Sequence, residues 1–149
     1  MKEIYIHPGS GAGRLFVSGL SDMEKILLNK NNILNQADIR HIISLISDEE
    51  IARHSGQLAD ALHHRRMSEM FSSFPVPPEG DPHPMSQYTN LLHRTAEELK
   101  NGRSALVFCS SGMRRSRRFS KELLIILGYS AEQAQAKVFN TPIAGENNI

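Results

Sequence analysis

Two stretches of the chain are nearly continuous in apolar residues, Arg40–Ile46 and Ser104–Phe108. Runs of that length read as strands buried on both faces. Ile4–His7, Arg14–Ser18 and Ser72–Val76 are three further strand candidates. Between the last two strands, Tyr88, Leu91, Leu92, Thr95 and Leu99 recur at helical spacing, and Asn101-Gly102 ends that helix. Phe119, Leu123, Ile126 and Leu127 give a later helix its buried face, with Gly128 as its stop. Capping boxes mark other helix starts: Ser21 with Glu24, Ser47 with Glu50, and Ser130 with Gln133. Strands alternating with helices predict an α/β architecture with a central, mostly parallel sheet of four to five strands flanked by helices. The expected unit is one domain over residues 1–149.

Composition narrows the function classes. A chain of 149 residues is long enough to bury a core. A hydrophobic fraction of 40% and a charged fraction of 22% are ordinary for a globular protein. The net charge of +1 argues against a generally basic nucleic-acid binder, so no nucleic-acid partner is expected. The lone cysteine excludes an intramolecular disulfide and suits a reducing compartment. No apolar run approaches the ~20 residues that span a bilayer, and the start, Met1-Lys2-Glu3-Ile4-Tyr5, lacks the apolar core of a secretory signal. Cytoplasmic residence without stable membrane insertion is therefore the expectation. Asn140 to Ile149 is polar and expected to fray. Gly9-Ser10-Gly11-Ala12-Gly13 lacks the lysine and following helix of a nucleotide-binding loop and reads as a flexible turn.

The chemistry concentrates at Cys109-Ser110-Ser111-Gly112-Met113-Arg114-Arg115-Ser116. The cysteine follows the strand candidate Ser104–Phe108 and precedes a helix pattern. A strand, a turn and a helix start in that order aim backbone N–H groups and the positive end of the helix dipole at one point, which makes an anion site. Such a field also favours thiolate over thiol at a cysteine. Arg115 adds a planar fork suited to two phosphate oxygens. In a parallel α/β sheet, ligands bind at the carboxyl ends of the strands, where Cys109 would sit.

This stretch resembles the signature of the cysteine-dependent protein tyrosine phosphatase superfamily, C-x5-R followed by Ser or Thr. Cys109, Gly112, Arg115 and Ser116 match it, while Phe108 stands where the family usually carries His. Leu15–Gly19 with the helix after it, and Ile39–Leu45, resemble the amino-terminal half of compact dual-specificity phosphatases. Phe74–Pro82 falls where those proteins keep an acid loop, and Gly128-Tyr129-Ser130 with an alanine-rich helix resembles their carboxy-terminal helix pair.

The resemblance implies residue roles. Cys109 would be the nucleophile and form a phosphocysteine; Arg115 would hold phosphoryl oxygens; Ser110, Ser111, Gly112, Met113 and Arg114 would complete the phosphate loop. Ser116 would donate a hydrogen bond to the departing thiolate, though a serine there also suits a helix N-cap. Asp81, or in second place Glu79, would be the general acid. Arg114 is expected at the substrate rim, and Arg117 and Arg118 on a solvated helix face. His63-His64 reads as a polar helix end, because adjacent positions on a helix diverge and cannot chelate together. No metal and no cofactor are expected. The implied substrates are phosphorylated protein (phosphotyrosine, phosphoserine or phosphothreonine) or a phosphoinositide. Two rivals remain: a catalytically inactive phosphate-binding module, and a rhodanese-like sulfurtransferase or arsenate reductase.

Overall fold

The computed structural model describes residues 1–6, 11–28, 38–64, 70–111 and 114–139. Strands β1 (Lys2–Ile4), β2 (Leu15–Ser18), β3 (Ile39–Ser44), β4 (Phe71–Ser73) and β5 (Ser104–Phe108) form one sheet in the order β1-β2-β5-β3-β4. β1 runs antiparallel to β2, and the other pairings are parallel. Among the described residues six helices accompany the sheet. They are α1 (Leu20–Leu28), α2 (Asp48–His54), α3 (Gly56–Leu62), α4 (Met85–Lys100), α5 (Arg115–Ile126) and α6 (Ala131–Phe139). The expected mostly parallel α/β sheet is the one observed.

The central strand follows from its composition. Every residue of β5 is buried, with β2 hydrogen-bonded on one side and β3 on the other. Leu106, Val107 and Phe108 pack with Phe16, Ile42, Ile43, Phe119 and Leu123 in one core cluster. Burying a side chain of this size contributes about 1.5–3 kcal/mol. α4 buries the expected stripe of Tyr88, Leu91, Leu92, Thr95 and Leu99, with Ala96 added. The face of α5 is shifted slightly: Phe119, Leu123 and Leu124 are buried, while Ile126 and Leu127 are only partly covered.

Strand boundaries move for identifiable reasons. β1 begins two residues before the expected Ile4, because Ile4 is the residue that turns into the core and Tyr5 is left exposed. Its edge is fixed by Glu3, which accepts two hydrogen bonds from Arg14; His7 lies outside the described residues. β4 is shorter than Ser72–Val76, since Pro75 has no N–H to continue a ladder. Pairing resumes beyond it, with Phe74 N donating to Ser44 O at 2.8 Å and Val76 N to Leu45 O at 2.9 Å. β3 stops at Ser44, whose hydroxyl bonds the backbone of Ile46 and turns the chain.

Two of the three capping boxes behave differently from the third. Ser47 Oγ accepts from Glu50 N at 3.1 Å, and Ser130 and Gln133 bond each other reciprocally. Ser21 is not a cap: α1 starts at Leu20, and Gly19 O accepts from Met23 N. A start that was not anticipated is α3, where Ser55 Oγ caps Leu58 N at 3.1 Å. His63 closes that helix as the expected polar end. Gly13 is no flexible turn. Its N–H donates to Leu99 O at 2.7 Å, and a side chain there would collide with the Arg103 carbonyl. Gly9, Ser10 and the tail from Asn140 lie outside the described residues.

Candidate active site

Cys109 follows directly on β5 and is 1% exposed. Its N–H donates to Ser18 O at 3.3 Å, and the preceding carbonyl of Phe108 accepts from Leu45 N at 3.0 Å. The cysteine is thereby seated between the carboxyl ends of β2 and β3. The Phe108 ring is fully buried in the core, so this position works through packing.

The loop after the cysteine leans on α1. Leu20 N donates to Ser110 O at 3.0 Å. A Cβ on Gly19 would lie 2.9 Å from both Ser111 C and Ser111 O, so only glycine permits this approach. Ser110 and Ser111 are exposed on the outer side; Gly112 and Met113 lie outside the described residues. Arg114 occupies the N-cap position of α5 without a side-chain cap bond, and its side chain is 77% exposed.

Arg115 opens α5, and its side chain is only 9% exposed. Nη1 donates to Val76 O at 3.0 Å, Nη2 donates to Ser110 Oγ at 3.0 Å, and Nη2 also lies 3.5 Å from Glu50 Oε2. The guanidinium is thus oriented from three sides: the cysteine loop, the segment after β4, and α2. A charged fork held like this loses little freedom on binding an anion. Ser116 is buried one position further along α5, and its Oγ has no hydrogen-bond partner among the described residues. It is not the N-cap, which is Arg114.

The two acid candidates lie on the segment between β4 and α4. Asp81 Oδ1 accepts from Arg118 Nη2 at 3.1 Å, while Glu79 Oε1 is 3.9 Å from Arg114 Nη1. Arg118 also donates from Nη1 to Gly80 O at 3.1 Å and from Nε to Glu122 Oε1 at 2.9 Å. Glu122 accepts in addition from the Tyr88 hydroxyl at 3.1 Å. Burial and then the Glu122 carboxylate push the Tyr88 phenol well above its ordinary range, so it remains a donor. The expectation of a solvated face therefore fails for Arg118. It fails for Arg117 as well, whose guanidinium sits 5.1 Å over the Phe139 ring.

The sequence reading missed Glu50 as a neighbour of Arg115, Gly19 as the close approach to the loop, and Arg118 as the partner of Asp81. Each had been marked for another reason: Glu50 as the third helical residue of a capping box, Gly19 as the end of a stretch resembling the family, and Arg118 as a solvated helix residue. The Glu50 backbone N–H is capped as expected, but its carboxylate faces the arginine. Among the described residues no group of three or more His, Cys, Asp or Glu side chains is arranged to hold a metal ion. Nor is any helix there long and apolar enough to cross a membrane. A separate cleft of about 790 Å³ along α4, lined by residues such as His93, Arg94, Glu97 and Arg103, includes none of the candidate site residues.

No family model matches the chain, and no curated protein matches it in sequence. Solved structures do match in shape. Kinase associated phosphatase (KAP), with a serine in place of its catalytic-site cysteine, superimposes with a TM-score of 0.64 at 18% identity, over 91% of this chain and 79% of that one. Tk-PTP in its active form gives a TM-score of 0.60 at 18% identity, over 97% of this chain and 88% of that one. This chain shares the fold of these two phosphatases, the protein tyrosine phosphatase fold.

Proposed function

We propose that the protein hydrolyses phosphate monoesters through a phosphocysteine. The observation that carries this reading is the position of Arg115. A nearly buried guanidinium, fixed by Val76 O and Ser110 Oγ, stands at the end of a loop that begins with Cys109 on the carboxyl end of the central strand. That arrangement suits a tetrahedral oxyanion such as phosphate.

In the first step the Cys109 sulfur attacks phosphorus in line and an S–P bond forms. The P–O bond to the leaving group breaks, and the leaving oxygen takes a proton from Asp81. In the second step water attacks the phosphorus and returns a proton to Asp81. The S–P bond breaks as the water attacks, releasing phosphate, while the buried Ser116 hydroxyl, without another partner among the described residues, donates to the departing thiolate. Arg115 and the loop N–H groups stabilise the equatorial oxygens in both steps. Glu79 is the alternative acid, and Arg114 on the rim is placed to meet acidic groups flanking a phosphorylated protein residue or on a phosphoinositide head group. A catalytic thiol also needs a reducing environment, which agrees with cytoplasmic residence.

A second reading is favoured by one observation. Both acid candidates are exposed, at 80% for Asp81 and 88% for Glu79, and face arginines. That is compatible with a phosphate-binding module that does not turn over. Phosphate release from a phosphotyrosine peptide and from a phosphoinositide, by the wild type and by Asp81→Asn and Glu79→Gln, separates the two. The proposal expects wild-type turnover and an Asp81→Asn enzyme that has lost the high-pH limb of its profile. Vanadate binding without any turnover leaves the binding module in its place.

A further inference from the structure

Arg115 and Arg118 lie one turn apart on α5, and both reach the same segment. Arg115 bonds its start at Val76 O, and Arg118 bonds its end at Gly80 O and Asp81 Oδ1. Between the two clamps the chain contains Pro77 and Pro78, which restrict it, and Gly80 at φ +94°, which turns it. The second clamp has its own footing. Arg118 Nε is bonded to Glu122, one turn further along the helix, and Glu122 is bonded by the hydroxyl of Tyr88, which is itself packed edge-on to Phe119 with 5.8 Å between ring centroids. A guanidinium with all three of its nitrogens engaged has one orientation. Among the described residues Glu79 has nothing comparable: its neighbour Arg114 is 3.9 Å away and itself exposed.

We propose that Arg118 is a positioning residue that fixes Asp81, and not Glu79, as the general acid, with Glu122 and Tyr88 holding Arg118 in place. This rests on the phosphatase reading above. Asp81 is 80% exposed and belongs to no helix or strand, so unclamped it would sample many positions. A proton donor must lie within hydrogen-bond reach of the leaving oxygen. Two clamps on a short segment, both carried by the helix that begins at the phosphate loop, keep the donor in register with that loop. Lysine at position 118 would keep the charge but could not serve Glu122, Gly80 O and Asp81 together.

The test compares two substrates: p-nitrophenyl phosphate, whose leaving group departs without a proton, and phenyl phosphate, whose leaving group needs one. General acids contribute about 10²–10⁴-fold, so Arg118→Met should lower kcat/KM on phenyl phosphate by about ten- to a hundredfold. The same variant should change kcat/KM on p-nitrophenyl phosphate by less than about threefold, since kcat/KM reports the first step alone and not the shared hydrolysis of the phosphocysteine. Arg118→Lys should recover part of the loss. In a double-mutant cycle, adding Arg118→Met to Asp81→Asn should cost almost nothing more. Equal losses on the two substrates, or full additivity with Asp81→Asn, overturn the proposal while leaving the phosphatase reading intact. Absence of any Cys109-dependent turnover of p-nitrophenyl phosphate overturns both. If Arg118→Met melts below assay temperature, Arg118→Lys, expected to shift the substrate ratio in the same direction by a smaller factor, decides in its place.

Discussion

The Arg115 guanidinium donates to Ser110 Oγ at 3.0 Å, which ties the residue at the end of the cysteine loop to the one just after Cys109. The same group donates to Val76 O at 3.0 Å, so the loop and the segment that leads to Asp81 share one anchor. Arg115→Lys keeps the charge and loses the fork. kcat/KM for an aryl phosphate should fall about 10²–10³-fold, as for loss of a transition-state donor. Stability should fall by only ~1 kcal/mol in urea unfolding, from the bonds left unmade. A loss of less than about tenfold, equal to about 1.4 kcal/mol of barrier, contradicts the role.

Gly19 and Ser111 approach so closely that one methyl group should be felt in both folding and function. In Gly19→Ala the new Cβ would stand 2.9 Å from the Ser111 backbone, which must shift. Overpacking of this kind costs about 1–3 kcal/mol, and the shift displaces the loop that follows Cys109. Urea midpoints and kcat should fall together. A variant with wild-type stability and rate would mean that the loop does not lean on α1.

Much of the fold could be read from the chain because the informative signals were local. β3 and β5 were foreseen because strands buried on both faces are apolar almost without interruption, as Ile42-Ile43 and Leu106-Val107-Phe108 are. Ser47 and Ser130 announced their helices because a cap and its partner lie three residues apart. The misses were non-local or ambiguous. Ser21 has the spacing of a box but sits inside α1, since the chain turns at Gly19 to meet the cysteine loop. Arg118 read as a solvated residue because helix periodicity reports only a residue's own helix. Its partners Gly80 and Asp81 lie 38 and 37 residues earlier. Of the candidate site, Cys109 and Arg115 were legible as a motif. The clamps on the acid segment were not, because they depend on how α5 packs against the chain after β4.

The cap on α2 also supports the site. Ser47 Oγ satisfies Glu50 N, and Glu50 turns its carboxylate toward Arg115. Ser47→Ala should cost about 1 kcal/mol, the usual worth of a lost cap, read as a lower thermal midpoint. Ser47→Asp should restore it, since aspartate caps as well as serine. Failure of Ser47→Asp to restore the midpoint would assign the loss to something other than capping.

His41 gives stability a pH dependence with a definite sign. Its imidazole bonds Ser72 Oγ at 2.7 Å and meets Glu98 at 2.9 Å. Burial holds its pKa below the ordinary 6.5, outweighing the upward pull of Glu98, and Arg94 pushes the same way as burial. The unfolded chain therefore binds the proton more readily than the folded one, and stability rises with pH between the two values. The contribution of neutral His41 is complete above 6.5 and is lost as the pH falls toward the folded value. In urea unfolding across pH, the stability gap between wild type and His41→Asn should be constant above 6.5 and shrink below it. A gap that widens toward acid would show that Glu98 wins and that the folded protein keeps His41 charged.

The central claim is that the Cys109 sulfur carries the phosphoryl group. The most direct measurement is to mix the wild type with an aryl phosphate, quench in acid during turnover, and weigh the peptide that contains Cys109. The account predicts an added mass of one phosphoryl group on that peptide, absent from Cys109→Ser, together with loss of turnover in that variant. Turnover that persists in Cys109→Ser, or a phosphoryl group found on another residue of the wild type, would contradict it.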